Sequence, residues 1–510
     1  MPLSNEYISY LRDESRTEGK AESIFFPFSE QDIIQDVCSK RETKTLITIQ
    51  GSRTGITGGA VPLDGHIINL SKMNKITTVK QTDRGTYVVL QPGVLLSELR
   101  NFITCRDKDK ISSVEGAEIL YNGTQLFFPP DPTETSASIG GMVSCNASGA
   151  ISFFYGATRS YVNRLRVITS DGEIIELNRN GCRAKGRSFK IRTLSNKTLS
   201  GNLPSYIMPN TKNAAGYYAA DDMEMIDLFI GSEGTLGIIS EIEIKLIPKP
   251  AQICGVVIFF PSEKSALFFV EFIRKQAKKP VAIEFFDYNV LELLRRRKQM
   301  YADSFDIPLI PENVNAAVYV EFHAMQGEDI DKTLEEMCLI VNESGGSEEL
   351  TWIALCEKEM EKLKTFRHAA PETVNMIIDE RRKKDVRIKK LGTDLSVPDD
   401  YLNEVMSLYH ETLQKNKLQY VIFGHIGNNH LHVNILPASF EEYQLGRDIY
   451  LQWAEKIVKM GGSISAEHGV GKLKKSLLMC MYGEKGINEM KSVKKVFDPS
   501  WILNADNLFD

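Results

Sequence analysis

Across residues 45–246 the apolar positions fall in short β-branched runs separated by glycine and proline clusters, with few long helical patterns, which predicts an α+β unit. Glu241-Ile-Glu-Ile-Lys-Leu-Ile247 alternates with period two, as a half-buried strand does, and stops at Pro248-Lys-Pro250, where proline removes ladder donors. A second unit is therefore expected from Ala251. There an apolar strand over 256–260 leads into a helical pattern around 266–276, a strand over 281–286, another helix and a strand over 316–322, the rhythm of a ferredoxin-like sheet. The charged stretch 357–390, with Arg381-Arg-Lys-Lys384, reads mostly as solvated helix faces. No 20- to 50-residue repeat and no low-complexity tract interrupts this order.

At 510 residues, with 42% hydrophobic and 25% charged positions, the chain has the composition of a folded globular protein and the length for a substantial core. Its net charge of −6 gives no electrostatic reason to expect nucleic acid, and no apolar run is long enough to span a bilayer. The eight cysteines are dispersed without a CxxC pair, and the acid-containing N-terminus resembles neither a signal nor a transit peptide. Cytoplasmic residence is the expectation, with peripheral membrane contact left open, and the partner sought is a small molecule.

Candidate chemistry begins with Gln50-Gly51-Ser52-Arg53-Thr54-Gly55-Ile56-Thr57-Gly58-Gly59, directly after a strand-like run. Glycines at 51, 55, 58 and 59 permit positive φ and close backbone approach, so successive N–H groups can face phosphate oxygens. Residues 60–68 read as a turn and strand, not the helix of a Rossmann site, and no Gly-Lys-Ser/Thr makes a Walker loop. A tight turn cluster without ligand is the competing account of this loop. Phe128-Pro-Pro-Asp-Pro132, the small-residue run Ile139–Gly149 and Gly231-Ser-Glu-Gly-Thr-Leu-Gly237 add surfaces on which a flat ring could lie close to the backbone.

Four of the eight histidines, His425, His430, His432 and His468, fall close together. In His430-Leu-His432-Val-Asn434-Ile the polar residues share one face of a strand while Leu431, Val433 and Ile435 enter the core. Glu467-His468-Gly-Val-Gly471 adds a carboxylate and an imidazole on a glycine-flanked loop. Two histidines and a carboxylate suit a divalent metal with open positions; a hydrogen-bonded polar cluster at a domain interface is the alternative.

Taken in order, these motifs, together with Tyr155-Gly-Ala-Thr158, resemble the FAD-linked oxidases and dehydrogenases of the vanillyl-alcohol-oxidase fold, and among them the D-lactate, glycolate and D-2-hydroxyglutarate dehydrogenases. The resemblance implies a two-subdomain PCMH-type FAD-binding domain over 1–250, a ferredoxin-like substrate cap over 251–485, and a segment over 486–510 that returns to the FAD domain. It implies noncovalent FAD gripped at its pyrophosphate by Gly51, Ser52, Arg53, Thr54, Gly55, Thr57, Gly58 and Gly59, with Pro130, Asp131, Gly140, Gly141, Asn146 and Ile239 near the rest. It also implies a divalent metal (Zn, Mn or Fe) on His425, His432 and Glu467 and His468 as the base, while His430, where many relatives have asparagine, is placed behind the ligands with metal contact left open. Arg367, otherwise readable as a surface helix arginine, is implied to bind the substrate carboxylate, and Asn434 is assigned to substrate as well.

The activity so implied is oxidation of a D-2-hydroxy acid, with electrons passed to a non-NAD acceptor such as a quinone or an electron-transfer flavoprotein. A homodimer is left open. Pro371 stands where the hydroxyglutarate enzymes have threonine, and the lysine register around Lys389–Asp394 differs from theirs, which favours a short D-lactate-like monocarboxylate. Ile502-Leu-Asn-Ala-Asp506 departs from the family's Ile-Leu-Asn-Pro-Gly. Two other expectations stay in view: a non-redox transferase like the alkylglycerone-phosphate synthases, and a flavoprotein subunit of an electron-transfer complex.

Overall fold

The computed structural model describes residues 3–510 except 106, 108, 110, 111, 122 and 302–304. Three parallel strands, Ser23–Phe25, His66–Asn69 and Ile47–Gln50, form a first sheet in that order. The helix Glu30–Glu42 covers it, started by a capping box in which Ser29 and Asp32 satisfy each other's backbone N–H groups. Its Ile33 and Val37 pack with Ile47, Ile68, Ile502 and Leu503, so the C-terminal residues help to build this small core.

A second sheet is antiparallel. The strand Ile238–Pro248 lies at its centre between Gly85–Leu90 and Val162–Ile168, with Ile76–Thr82 and Ile174–Asn178 outside. The period-two alternation that predicted this central strand reflects its half-covered end. After Pro248 the chain enters Gln252–Phe260, the first strand of the third sheet.

That third sheet has eight strands and extends beyond the expected ferredoxin-like β-α-β units. Its expected strands are present as Gln252–Phe260, Ala282–Asp287 and Ala316–Ala324, and the helix expected around 266–276 runs over Glu263–Ile273. The sheet grows because Tyr420–Gly424 pairs with Ala282–Asp287, and His430–Ile435 pairs next to it. The histidine-bearing strand is thereby fixed beside a buried sheet.

The charged stretch forms the helix Glu357–Lys384, but it is solvated on one side only. Leu363, Phe366, Ala370, Val374 and Ile378 recur at helical spacing and are buried, with Phe366 4.8 Å from Phe286. Near the end of the chain the helix Lys475–Phe497 is kinked at Gly483, and Asn504 then donates its backbone N–H to Ile47.

Candidate active site

His432 lies on the strand His430–Ile435 and faces Gly424, whose φ of +124° and close approach leave no room for a side chain: a Cβ there would come within 2.8 Å of His432 Cδ2. His432 Nδ1 lies 3.0 Å from the Thr393 carbonyl, which makes it the donor and turns the Nε2 lone pair to Glu467 Oε1 at 3.4 Å. His425, at the start of the turn Ile426–Asn428, is arranged alike, with Nδ1 2.6 Å from Glu284 Oε1 and Nε2 3.3 Å from Glu467 Oε2. His430 is the fourth member. One ligand-capable atom from each of His425, His430, His432 and Glu467 lies within 4.8 Å of all the others.

Lys212 donates to Glu467 Oε2 at 2.6 Å. Burial opposes the charge of Glu467, but Lys212 and His425 outweigh it and hold the carboxyl well below its usual range. For His425 burial would lower the pKa, yet Glu284 and Glu467 raise it to about 9. His430 is uncharged, since burial pushes it down to about 3.

His468 stands at the edge of this cluster, with its ring stacked 5.5 Å from that of His432. Its Nδ1 is 3.3 Å from Asp394 Oδ2 and its Nε2 3.5 Å from Glu467 Oε1. Asp394 is buried and also accepts from the backbone N–H groups of Glu467 and His468, from Ser465 Oγ and from Lys474 Nζ. Burial would raise its pKa, but His468, Lys474 and His430 keep it well below the ordinary value. Asp394 therefore fixes the loop and the tautomer of His468 together.

Arg367 emerges from the buried face of Glu357–Lys384, its guanidinium 4.7 Å over the Tyr319 ring. Its Nε has no partner, and no carboxylate is ion-paired with it among the described residues. Burial opposes its charge, while Glu284, Tyr319, Glu321 and Asp131 nearby keep it ionised. Tyr319 donates to Glu321, which also contacts His323 Nε2 at 2.8 Å, and His323 Nδ1 meets Tyr155 of the first half at 2.8 Å. A half-buried guanidinium whose Nε has no partner, and which is ion-paired with no carboxylate among the described residues, is a ready carboxylate site.

The glycine loop joins the histidine loop directly, since Thr57 Oγ1 lies 3.5 Å from the His468 carbonyl and Lys472 donates its backbone N–H to Thr57 O. No heavy atom lies within 4 Å of a Cβ built on Gly55, so that side of the loop is open, and Gly58 has φ +74°. Gly51 instead packs on Ser138 and Gly140 on Pro92, at distances a Cβ would violate. Ser52 and Thr54 are half-buried, whereas Arg53 turns away, bonded to the Ser9 carbonyl and 4.1 Å over Tyr10.

The small-residue run forms the short helix Ile139–Cys145, ended by Asn146 with φ +49°; Gly141 donates its N–H to Ser138 Oγ. Pro130 offers its carbonyl to Arg100, and Ile239 is buried on the central strand. Burial pushes the Asp131 carboxyl up to about 7 despite the nearness of Arg367, and its Oδ1 is unpaired. A cavity of about 180 Å³, lined among others by Asn146, Ser148, Lys212, Asn428 and Ala466, opens between this run and the histidines. Asn428 Oδ1 in its lining is a buried polar atom without a partner, and so are atoms on Asp131, Arg367, His430 and Asn434. That concentration fits a polar ligand and a cation better than a self-satisfied structural cluster.

Comparison with known families settles what kind of protein carries these features. The FAD binding domain model matches residues 21–106 and 117–178, and the model for FAD linked oxidases, C-terminal domain, matches residues 249–508. The chain belongs to the FAD-linked oxidase family. As an FAD-linked oxidase it is an oxidoreductase whose cofactor is FAD. It is 28% identical to the D-lactate dehydrogenase of Anaerostipes hadrus, over 98% of this chain and 92% of that one. It is 27% identical to the D-2-hydroxyglutarate dehydrogenase of Stutzerimonas stutzeri, over 98% and 94%, and 28% identical to the glycolate oxidase subunit GlcD of Bacillus subtilis, over 93% and 86%. Among solved structures an alkyldihydroxyacetonephosphate synthase superposes with a TM-score of 0.58 at 17% identity, covering 94% of this chain and 75% of that one, a likeness of fold.

Three members of this FAD-linked oxidase site were not picked out by sequence reasoning. Glu284 had a signal, as a lone acid inside an apolar strand run. Asp394 sits beside Thr393, which holds His432, yet nothing in the local pattern marks it. Lys212 lies in a loop 255 residues from the Glu467 it neutralises.

Proposed function

We propose that the protein oxidises a D-2-hydroxy monocarboxylate of the D-lactate type to the 2-oxo acid. The observation that carries this reading is one arrangement: His468 held through Nδ1 by a buried carboxylate, beside inward-turned imidazoles and an arginine whose buried Nε is unpaired. The names of the relatives, D-lactate and D-2-hydroxyglutarate dehydrogenase, support the substrate class.

FAD, when bound along the glycine loop and the small-residue run, supplies the acceptor for the C2 hydride. A divalent metal (Zn, Mn or Fe) on His425, His432 and Glu467 would supply a Lewis acid for the substrate hydroxyl and carboxylate. Within that frame His468 Nε2 takes the hydroxyl proton as the hydride leaves, and Asp394 stabilises the imidazolium that forms. Arg367 binds the carboxylate, and the polar face that carries Asn434 lines the same side. Pro371 and the lysine register around Lys389–Asp394 depart from the hydroxyglutarate enzymes, which favours a short monocarboxylate over one with a second carboxylate.

The same reading assigns residues 1–250 to cofactor binding, 251–485 to the cap and 486–510 to a returning segment. It keeps FAD noncovalent, and it passes electrons to a non-NAD acceptor such as a quinone or an electron-transfer flavoprotein. Among the described residues no helix is long and apolar enough to cross a membrane.

The test is anaerobic reduction of the purified yellow protein by D-lactate, L-lactate, glycolate and D-2-hydroxyglutarate, with and without chelator. Bleaching by D-lactate that chelator suppresses is the expected outcome. Failure of every 2-hydroxy acid to bleach the flavin would overturn the reading.

A further inference from the structure

We infer that His430 is a third imidazole ligand, so that the metal centre of this chain is His425, His430, His432 and Glu467. The inference rests on the metal in the function proposed above and adds a ligand to it.

The His430 side chain is fully buried, with ring centroids 5.3 Å from His425 and 4.5 Å from His432. Neither ring nitrogen has a hydrogen-bond partner of good geometry. Yet each nitrogen faces a carboxylate, Nε2 at 2.9 Å from Asp394 Oδ1 and Nδ1 at 3.9 Å from Glu467 Oε2. The shorter contact assigns the N–H to Nε2, facing Asp394. Nδ1 is thereby left on the side of Glu467 Oε2, the carboxylate that His425 and His432 also approach.

A cation held among the four groups would give both buried His430 and its neighbours a common partner. The inward nitrogens of His425 and His432 converge on the same Glu467 carboxylate from the other sides. Asp394 would then do for His430 what Glu284 does for His425 and Thr393 for His432, accepting the outer N–H and raising the basicity of the inner nitrogen. Three imidazoles and one carboxylate favour Zn²⁺ or Fe²⁺ over Mn²⁺, since imidazole suits the former and oxygen ligands the latter.

The experiment uses the full-length flavoprotein, stripped with chelator and reloaded with Zn²⁺ or Mn²⁺. X-ray absorption at the Zn edge counts imidazoles, and competition with a chromogenic chelator gives affinity. Three imidazoles are expected in the wild type and two in His430→Asn, with Zn²⁺ affinity falling roughly 10–100-fold and Mn²⁺ affinity changing less. FAD content and circular dichroism of His430→Asn report folding, and His430→Gln serves if that variant misfolds. A wild-type site that binds Zn²⁺ through two imidazoles overturns this inference and leaves the metal in place. A wild-type protein that takes up neither metal overturns the metal itself.

Discussion

At the scale of single residues the proposed mechanism separates a proton acceptor from the groups that orient it. His468→Ala is expected to lower kcat for the hydroxy acid by about 10²–10⁴-fold while the protein still purifies yellow. Asp394→Asn should fall in the same direction, because an amide can present its N–H to His468 Nδ1 and so select the wrong tautomer. Stopped-flow flavin bleaching reads both variants; unchanged bleaching in His468→Ala would remove it as the base. Arg367→Ala should raise KM by roughly 10²-fold, with Arg367→Lys recovering only part, since a point charge cannot reproduce the guanidinium fork; steady-state kinetics over a range of D-lactate checks this. What the sequence disclosed at this scale was bounded by distance along the chain. His425, His432, Glu467 and His468 are near one another and alternate as a strand and a glycine loop require. Glu284 lies 141 residues from its partner His425, so only the pairing of Ala282–Asp287 with Tyr420–Gly424 brings them together.

At the scale of elements, strands and caps decide where those side chains stand. The third sheet was legible as β-α-β units up to Ala316–Ala324, because short apolar runs and the helix over Glu263–Ile273 are local signals. Its extension to eight strands was not, because which strand edge accepts Tyr420–Gly424 depends on long-range pairing. The Gly424 to His432 approach makes a sharp prediction: Gly424→Ala should fold but lose metal, measured as metal per chain after dialysis. Asp287 supplies a pH prediction. It caps the helix Tyr288–Met300 through the Val290 N–H, and burial raises its pKa to about 7, although Val290, Ile422 and His410 pull it down. The folded protein therefore holds this proton between about pH 4 and 7 where the unfolded chain has released it. The stability that Asp287 contributes is present at low pH and is lost as the pH rises through 7. Asp287→Asn keeps the cap and removes the titration, so it should be more stable than wild type by roughly 1–3 kcal/mol at pH 8 and show no advantage at pH 4, by chemical denaturation at each pH.

At the scale of the whole molecule, the last residues of the chain tie the two loops of the site to the first sheet. Asn504 accepts from the Ile49 N–H at 2.7 Å and donates to the Glu233 carbonyl at 2.7 Å, so strand Ile47–Gln50 enters the glycine loop with its edge already paired. Asn507 donates to Gly59 O at 3.0 Å and accepts from Lys472 Nζ at 2.6 Å, while Leu508 donates its N–H to Gly471 O at 2.9 Å. Glu233 completes the clasp by accepting from Val470 and Gly471 at 2.7 Å each. One short segment thus holds the proposed pyrophosphate loop on one side and the His468 loop on the other. The family resemblance pointed to such a return, but the contacts run through Asn504 and Asn507, not through the proline and glycine that this chain lacks. Replacing both by alanine leaves the Ile49 N–H and Glu233 carbonyl unsatisfied and frees the glycine loop, at about 1–3 kcal/mol for each buried group left unpaired. The double variant Asn504→Ala/Asn507→Ala is therefore expected to bind FAD more weakly and, even when reconstituted with excess FAD, to bleach more slowly with D-lactate, because His468 is no longer held. Weakened FAD binding with full bleaching speed after reconstitution would show that the segment serves the cofactor loop alone.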